Sequence, residues 1–201
     1  MEYIRVSASY IFNIILDEKY LLVKSERRNQ YQPIGGCYKY FKKAEKFLFS
    51  LGALPEKKSN GVDSLMDLRL LVPQENIKVF IEWFISGQNR ETTYFRELNE
   101  ELVSLLPQNK QKFFNEINVK KQKNGSFDVF FDEEKSIKSI KPMDVISIEL
   151  TNIQKQVILE LCTNNQFNFI LATKEDILNG YKLLKDKTKV KIGSHTKNIL
   201  N

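Results

Sequence analysis

The chain has 201 residues, enough for one large domain, and nothing in its composition demands a second. Hydrophobic residues at 42%, including 14 Phe and 8 Tyr, supply a substantial core, and charged residues at 28% are near the globular average, which argues against a disordered chain. The net charge is +6, from 31 Lys and Arg against 25 Asp and Glu, but the positives are spread along the chain, so a basic pocket for a small phosphorylated ligand is expected rather than a dedicated nucleic-acid surface.

In chain order, Tyr10 to Leu16 is an apolar run, Asp17-Glu18-Lys19 a polar turn, and Tyr20 to Lys24 a second run, which together predict a β-hairpin. A polar loop from Ser25 to Gln30 carries Arg27 and Arg28 and leads to Gly35-Gly36, where the backbone must turn tightly or approach something closely. Tyr38 to Leu51 places aromatics at helical spacing and stops at Gly52. Gly61-Val62-Asp63 ends a polar loop, and Met66 to Val72 alternates as a strand that Pro73 closes. Asn76 to Ile85 predicts an apolar helix ending before Gly87, with Trp83 in the core. A further helix is expected from Glu91 to about Leu106, ahead of Pro107. Asn124-Gly125 before Asp128-Val129-Phe130-Phe131 is the strongest short hairpin signal. Val145 to Leu150 reads as strand, Ile153 to Leu161 as helix, Phe167 to Ala172 as strand and Lys174 to Leu183 as helix. With no internal repeat and no long linker, residues 1–201 are read as a single domain.

Cys37 and Cys162 lack a CxxC partner or a nearby His, which excludes a zinc site and leaves a disulfide open. The single histidine, His195, has no nucleophile motif beside it and is expected at the surface or in a cap. The N-terminus carries no basic stretch followed by an apolar run, and no segment approaches the roughly 20 apolar residues of a membrane span, so the chain is expected in the cytoplasm with no membrane span.

The densest chemistry lies at Arg96-Glu97-Leu98-Asn99-Glu100-Glu101. Advancing 100° per residue from Phe95 puts Leu98, Leu102 and Leu105 within about 80° of it, a stripe that must face a core. Glu97, Glu100 and Glu101 fall at about 200°, 140° and 240°, on the opposite face. Three carboxylates so close repel one another unless a cation or basic partner sits among them. A hard divalent ion such as Mg²⁺ takes oxygen ligands and leaves positions for phosphate and water, and Arg96 could hold one carboxylate in place. Taken alone, the same pattern also fits an amphipathic helix with a solvated acidic face.

Arg96-Glu97-Leu98-Asn99-Glu100-Glu101 matches the REUXEE core of the Nudix box residue for residue, with Leu98 as the aliphatic U. Tyr20 to Lys24 followed by Pro33-Ile34-Gly35-Gly36 resembles the Nudix strand and glycine pair, and Ile170 to Ile177 resembles the late strand and final helix. More closely, the chain resembles the SMODS-associated NUDIX family, also called CD-NTase-associated NUDIX domains. That likeness rests on Tyr31-Gln32-Pro33-Ile34-Gly35-Gly36-Cys37-Tyr38-Lys39-Tyr40-Phe41, Asp67-Leu68-Arg69-Leu70, Arg90-Glu91 and Ile192-Gly193-Ser194-His195-Thr196. The resemblance implies a Nudix α/β/α sandwich with a mixed sheet and a link to a CD-NTase in cyclic-oligonucleotide antiphage signalling (CBASS), an antiviral defence. It departs from the ordinary box in three places: a long insertion separates Gly35-Gly36 from Arg96, Gln88 stands where a Glu is usual, and Val103 stands where the box ends in Gly.

Two functions follow. The first is Mg²⁺- or Mn²⁺-dependent hydrolysis of a nucleotide or nucleoside-diphosphate-linked substrate. Glu97, Glu100 and Glu101 would be both metal ligands and catalytic residues, and Arg27, Arg28, Gly35, Gly36 and Lys39 would hold the substrate. The alternative is a module that binds a cyclic oligonucleotide without chemistry, which the displaced glycine loop, Gln88 and the basic charge favour. Tyr31, Tyr38 and Tyr40 could stack on a base or belong to the core.

Overall fold

In the computed structural model, which describes residues 2–25, 28–56, 66–163 and 168–200, the chain divides into two units. The first comprises residues 1–10, 36–94 and 124–144, and the second residues 11–35, 95–123 and 145–201. Strands β1 (Tyr3–Ser7), β2 (Ser9–Leu16), β3 (Lys19–Ser25), β4 (Gln30–Gln32) and β5 (Gly35–Cys37) come first. Helix α1 (Glu45–Ser50), strands β6 (Leu54–Pro55) and β7 (Arg69–Pro73), and helices α2 (Ile77–Ser86), α3 (Phe95–Glu101) and α4 (Gln108–Gln111) follow. Then come β8 (Asn118–Lys123), β9 (Phe130–Asp132), β10 (Ile137–Ile140), β11 (Met143–Glu149), α5 (Asn152–Thr163), β12 (Phe169–Ala172), α6 (Lys174–Asn179), β13 (Tyr181–Leu183) and β14 (Lys189–Lys191), with a closing 3₁₀ segment, Ser194–Ile199.

The first unit holds a mixed five-stranded sheet in the order β6-β7-β1-β10-β9. β1 pairs antiparallel with β7, from Tyr3 against Pro73 to Ser7 against Arg69, and parallel with β10, with Arg5 against Ser139. Leu68, Leu70 and Val72 are buried at alternate positions, as the sequence pattern requires, while the strand itself begins only at Arg69 because Met66 adopts φ +71°. Helix α2 lies against β7 and buries Phe80, Trp83 and Phe84, so Trp83 is a core residue as expected. Gly87, at φ +69°, ends it.

The second unit is built on a sheet in the order β12-β3-β2-β11-β8, with β4 added to β3 and β5 to β2. The predicted N-terminal hairpin forms: Ile15 faces Tyr20 and Leu16 faces Lys19 across a two-residue loop. Asp17 and Glu18 take φ +47° and +63°, positive at both positions as a type I′ turn demands. Helices α5 and α6 lie against β12, burying Val157, Ile158 and Leu161 from α5 and Ile177 from α6. A capping box opens α6: Thr173 accepts from the Asp176 N–H, and the Asp176 carboxylate accepts from the Thr173 N–H. Thr173→Ala is expected to lower stability by about 1 kcal/mol, read as a lower urea midpoint at unchanged slope.

Four expected elements differ. The helix read from Tyr38 starts at Glu45 after a 3₁₀ turn, because residues 38–40 are held extended: the Tyr38 N–H donates to the Ala8 carbonyl and the Tyr40 N–H to the Met66 carbonyl. Gly52 still ends that helix, at φ +67°. The helix read from Glu91 to Leu106 is shorter, as described below. The Asn124-Gly125 hairpin does not form: β8 pairs with β11 and β9 with β10, in different sheets. The helix read to Leu183 stops at Gly180, φ +74°, and Tyr181–Leu183 becomes strand β13. Gly61 to Asp63 lie outside the described residues. Among the described residues, no helix is long and apolar enough to cross a membrane.

Candidate functional site on the acidic helix

Helix α3 runs only from Phe95 to Glu101. Upstream, residues 91–94 are not helical, and the Glu91 N–H donates to the Lys39 carbonyl at 2.7 Å. Downstream, Leu102 turns out at φ −124°, ψ −64°, and Val103–Leu105 form a 3₁₀ turn. Leu98 and Leu102 are buried as the helical spacing requires. Phe95 and Leu105 are exposed, however, since the helix ends before the stripe reaches Leu105, and Leu106 is buried instead. The apolar face is therefore narrower than the sequence suggests.

The three carboxylates meet different partners. The Arg96 Nη1 donates to Glu97 Oε1 at 2.6 Å and to Glu100 Oε2 at 3.4 Å, so the arginine bridges two of them. Glu97 is largely covered, with its side chain 14% exposed, while Glu100 at 58% faces solvent. Glu101 turns the other way, and its Oε2 accepts the Gly35 N–H at 3.0 Å. That bond joins residues 66 positions apart and ties Gly35 to the acidic helix across the whole insertion. Gly35, at φ +153°, has backbone that favours glycine where it meets Glu101.

Burial pushes the Glu101 carboxyl up to about 7; the Gly35 N–H opposes that rise, and the charges of Glu97 and Glu100 add to it. Its ordinary value is near 4.5, so between those values the folded chain holds a proton that the unfolded chain releases. Stability from this group is therefore full below about pH 4.5 and declines as pH rises through 7. Discounted for partial exposure, the loss is on the order of 2 kcal/mol. Urea midpoints from pH 5 to 8 should fall more for the wild type than for Glu101→Gln, whose amide oxygen can still accept the Gly35 N–H; equal slopes would rule the shift out.

The other expected site residues divide. Arg28 is exposed and its charge, after burial, helps hold the half-buried His195 imidazole below its ordinary range. His195 therefore belongs to the surroundings of Arg28 rather than to the free surface, a placement no local sequence signal gives. Arg27 lies outside the described residues. Gly36 and Lys39 belong to the first unit, where the Lys39 N–H donates to Glu91 Oε2 at 3.2 Å. Tyr31 and Tyr38 are buried, and the Tyr38 hydroxyl donates to Asp144 Oδ2 at 2.5 Å, so both are core residues. Cys37 and Cys162 are unbridged, and the Cys37 thiol donates to the Ala8 carbonyl at 3.0 Å.

Carboxylate oxygens are the donors a hard divalent cation takes, and the charges of Glu97 and Glu100 that oppose ionisation of Glu101 are what a cation would offset. As placed, Arg96 engages two of the carboxylates and Gly35 the third, and among the described residues no three acidic, His or Cys side chains converge closely enough to hold an ion. A cation would have to draw Glu97 and Glu100 from the arginine.

A mixed α/β fold carrying Arg96-Glu97-Leu98-Asn99-Glu100-Glu101 on a helix tied to Gly35 defines a Nudix-type domain. The family model of the SMODS-associated NUDIX domain matches residues 3–200, and the chain belongs to that family. No curated protein and no solved structure matches the chain.

Proposed function

We propose that residues 1–201 work as one NUDIX-like hydrolase domain that cleaves a nucleotide or nucleoside-diphosphate-linked substrate. The observation that carries this reading is the Gly35 N–H to Glu101 bond, which restores the neighbourhood of Gly35 and acidic box that the long insertion separates in sequence. Glu97, Glu100 and Glu101 would hold Mg²⁺ or Mn²⁺, which when bound polarises a phosphoryl centre and acidifies a coordinated water. Glu101, with a carboxyl near neutrality, is suited to take up or return a proton at its Oε1, since Oε2 is committed to Gly35. Arg28 and Arg27 would hold phosphate, with Gly35 completing the substrate contacts in the second unit. The family's association with SMODS proteins supports a role beside a CD-NTase in CBASS antiviral defence. Two unbridged cysteines suit the reducing cytoplasm, where we place the protein.

A second reading, a module that binds a cyclic oligonucleotide without chemistry, draws on Arg96: the arginine neutralises Glu97 and Glu100 and could stand in for a metal. Incubating the protein with Mg²⁺ or Mn²⁺ and a panel of linear and cyclic nucleotides separates the two. Metal-dependent turnover that Glu100→Gln and Glu101→Gln both lose supports the hydrolase. Tight binding without turnover, unchanged in those variants, overturns it.

A further inference from the structure

Lys185, Lys187, Lys189 and Lys191 alternate within seven residues, and folding places that cluster on one exposed ribbon. Strands β13 and β14 pair antiparallel, Tyr181 against Lys191 and Leu183 against Lys189, so these four side chains share one face. All four are exposed. The Leu184 N–H donates to the Thr188 carbonyl and closes the tip, which adds the exposed Lys185 and Lys187. The ribbon is anchored at its base, where the Ile192 N–H donates to the Gly180 carbonyl and the Gly193 N–H to the Tyr31 carbonyl.

The nearby acids are already engaged. Asp176 accepts from Lys182 and from the Thr173 N–H, and Asp186 accepts from the Thr188 N–H. Lys185, Lys187, Lys189 and Lys191 have no acidic partner among the described residues, and the Lys189 ammonium lies 3.8 Å from the Tyr181 ring centroid. Such a surface calls for an anion that repeats. Lys189 and Lys191, two residues apart on β14, stand about 6.6 Å from one another, close to the spacing of successive phosphates on a nucleic-acid strand. Tyr181 and Leu183 between them offer apolar contact to a sugar or base, which a flat anionic surface would not need in a single line.

We infer that the β13–β14 ribbon is a contact surface for the phosphate backbone of a nucleic-acid strand, with Lys185, Lys187, Lys189 and Lys191 as the phosphate-facing groups. It is independent of the acidic helix and of any hydrolysis there, and it departs from the expectation of no dedicated nucleic-acid surface because the pairing sets the alternating lysines beside Tyr181 and Leu183 on one exposed face.

The test is fluorescence anisotropy of the full chain with labelled single-stranded and duplex oligonucleotides across a salt series. Lys189→Gln with Lys191→Gln should weaken binding on the order of tenfold and reduce the slope of log affinity against log salt by about 2. Lys185→Gln, which removes a side chain at the tip alone, should reduce it by about 1. Lys120→Gln with Lys121→Gln, on the equally exposed β8, should leave both quantities unchanged. The proposal is overturned if neither oligonucleotide binds at low salt, if the β8 variant loses as much as the ribbon variant, or if only vesicles containing phosphatidylserine bind.

Discussion

Glu101→Gln is expected to lower metal-dependent nucleotide turnover by about a hundredfold or more while leaving the fold intact. A positioned acid–base group commonly accounts for about 10²–10⁴ in rate, and loss of a carboxylate from a cation site adds to that. The amide keeps an oxygen for the Gly35 N–H, 3.0 Å away, so the local geometry survives the change. It cannot accept or deliver the proton, and it removes one negative charge from the three that would hold the cation. Glu101→Ala would confound the result by leaving the Gly35 N–H without its partner, whose loss costs about 1–3 kcal/mol on its own. The comparison therefore rests on the amide, with rates measured at pH 7 and circular dichroism confirming that helix content is unchanged.

Gly125→Ala is expected to destabilise the protein by about 3 kcal/mol or more. A Cβ at this position would lie 2.1 Å from the Met143 nitrogen and 2.7 Å from the Pro142 carbonyl carbon, both backbone atoms that cannot rotate away. Relieving the clash would also break the bond from the Gly125 N–H to Asp144 Oδ1, at 2.8 Å, and Asp144 in turn receives the Tyr38 hydroxyl. A urea midpoint unchanged by this substitution would show that the segment has room to move. Ser126→Ala, one residue later and exposed, is the matched control.

That same glycine marks where sequence reading fails. Asn-Gly flanked by apolar residues is a strong local hairpin signal, yet the ladders formed with distant strands decide the pairing: β8 takes Val145 to Glu149 of β11 as its partners, and β9 takes Ile137 to Ser139 of β10. Gly125 is glycine because another stretch of backbone passes against it. By contrast, the β2–β3 hairpin was legible, since its two-residue turn and both of its strands are local in sequence. Helix α2 was legible for a similar reason, having a long apolar period and a glycine at its end. For the acidic helix, the buried Leu98 and Leu102 followed from 100° spacing, whereas its ends did not, because a carbonyl from Lys39 takes the Glu91 N–H. The bond from Gly35 to Glu101 lies beyond any local pattern; family likeness named both partners, and only the folded chain joins them.

The central claim is that Glu97, Glu100 and Glu101 form a divalent-cation site on α3, and calorimetric titration with Mn²⁺ tests it most directly. The account predicts a saturable Mn²⁺ site in the wild-type chain that is weakened severely in Glu101→Gln and in Glu97→Gln, and strengthened in Arg96→Gln, where the competing guanidinium is gone. Mn²⁺ binding that is absent from the wild type, or equally strong in all four proteins, would contradict it.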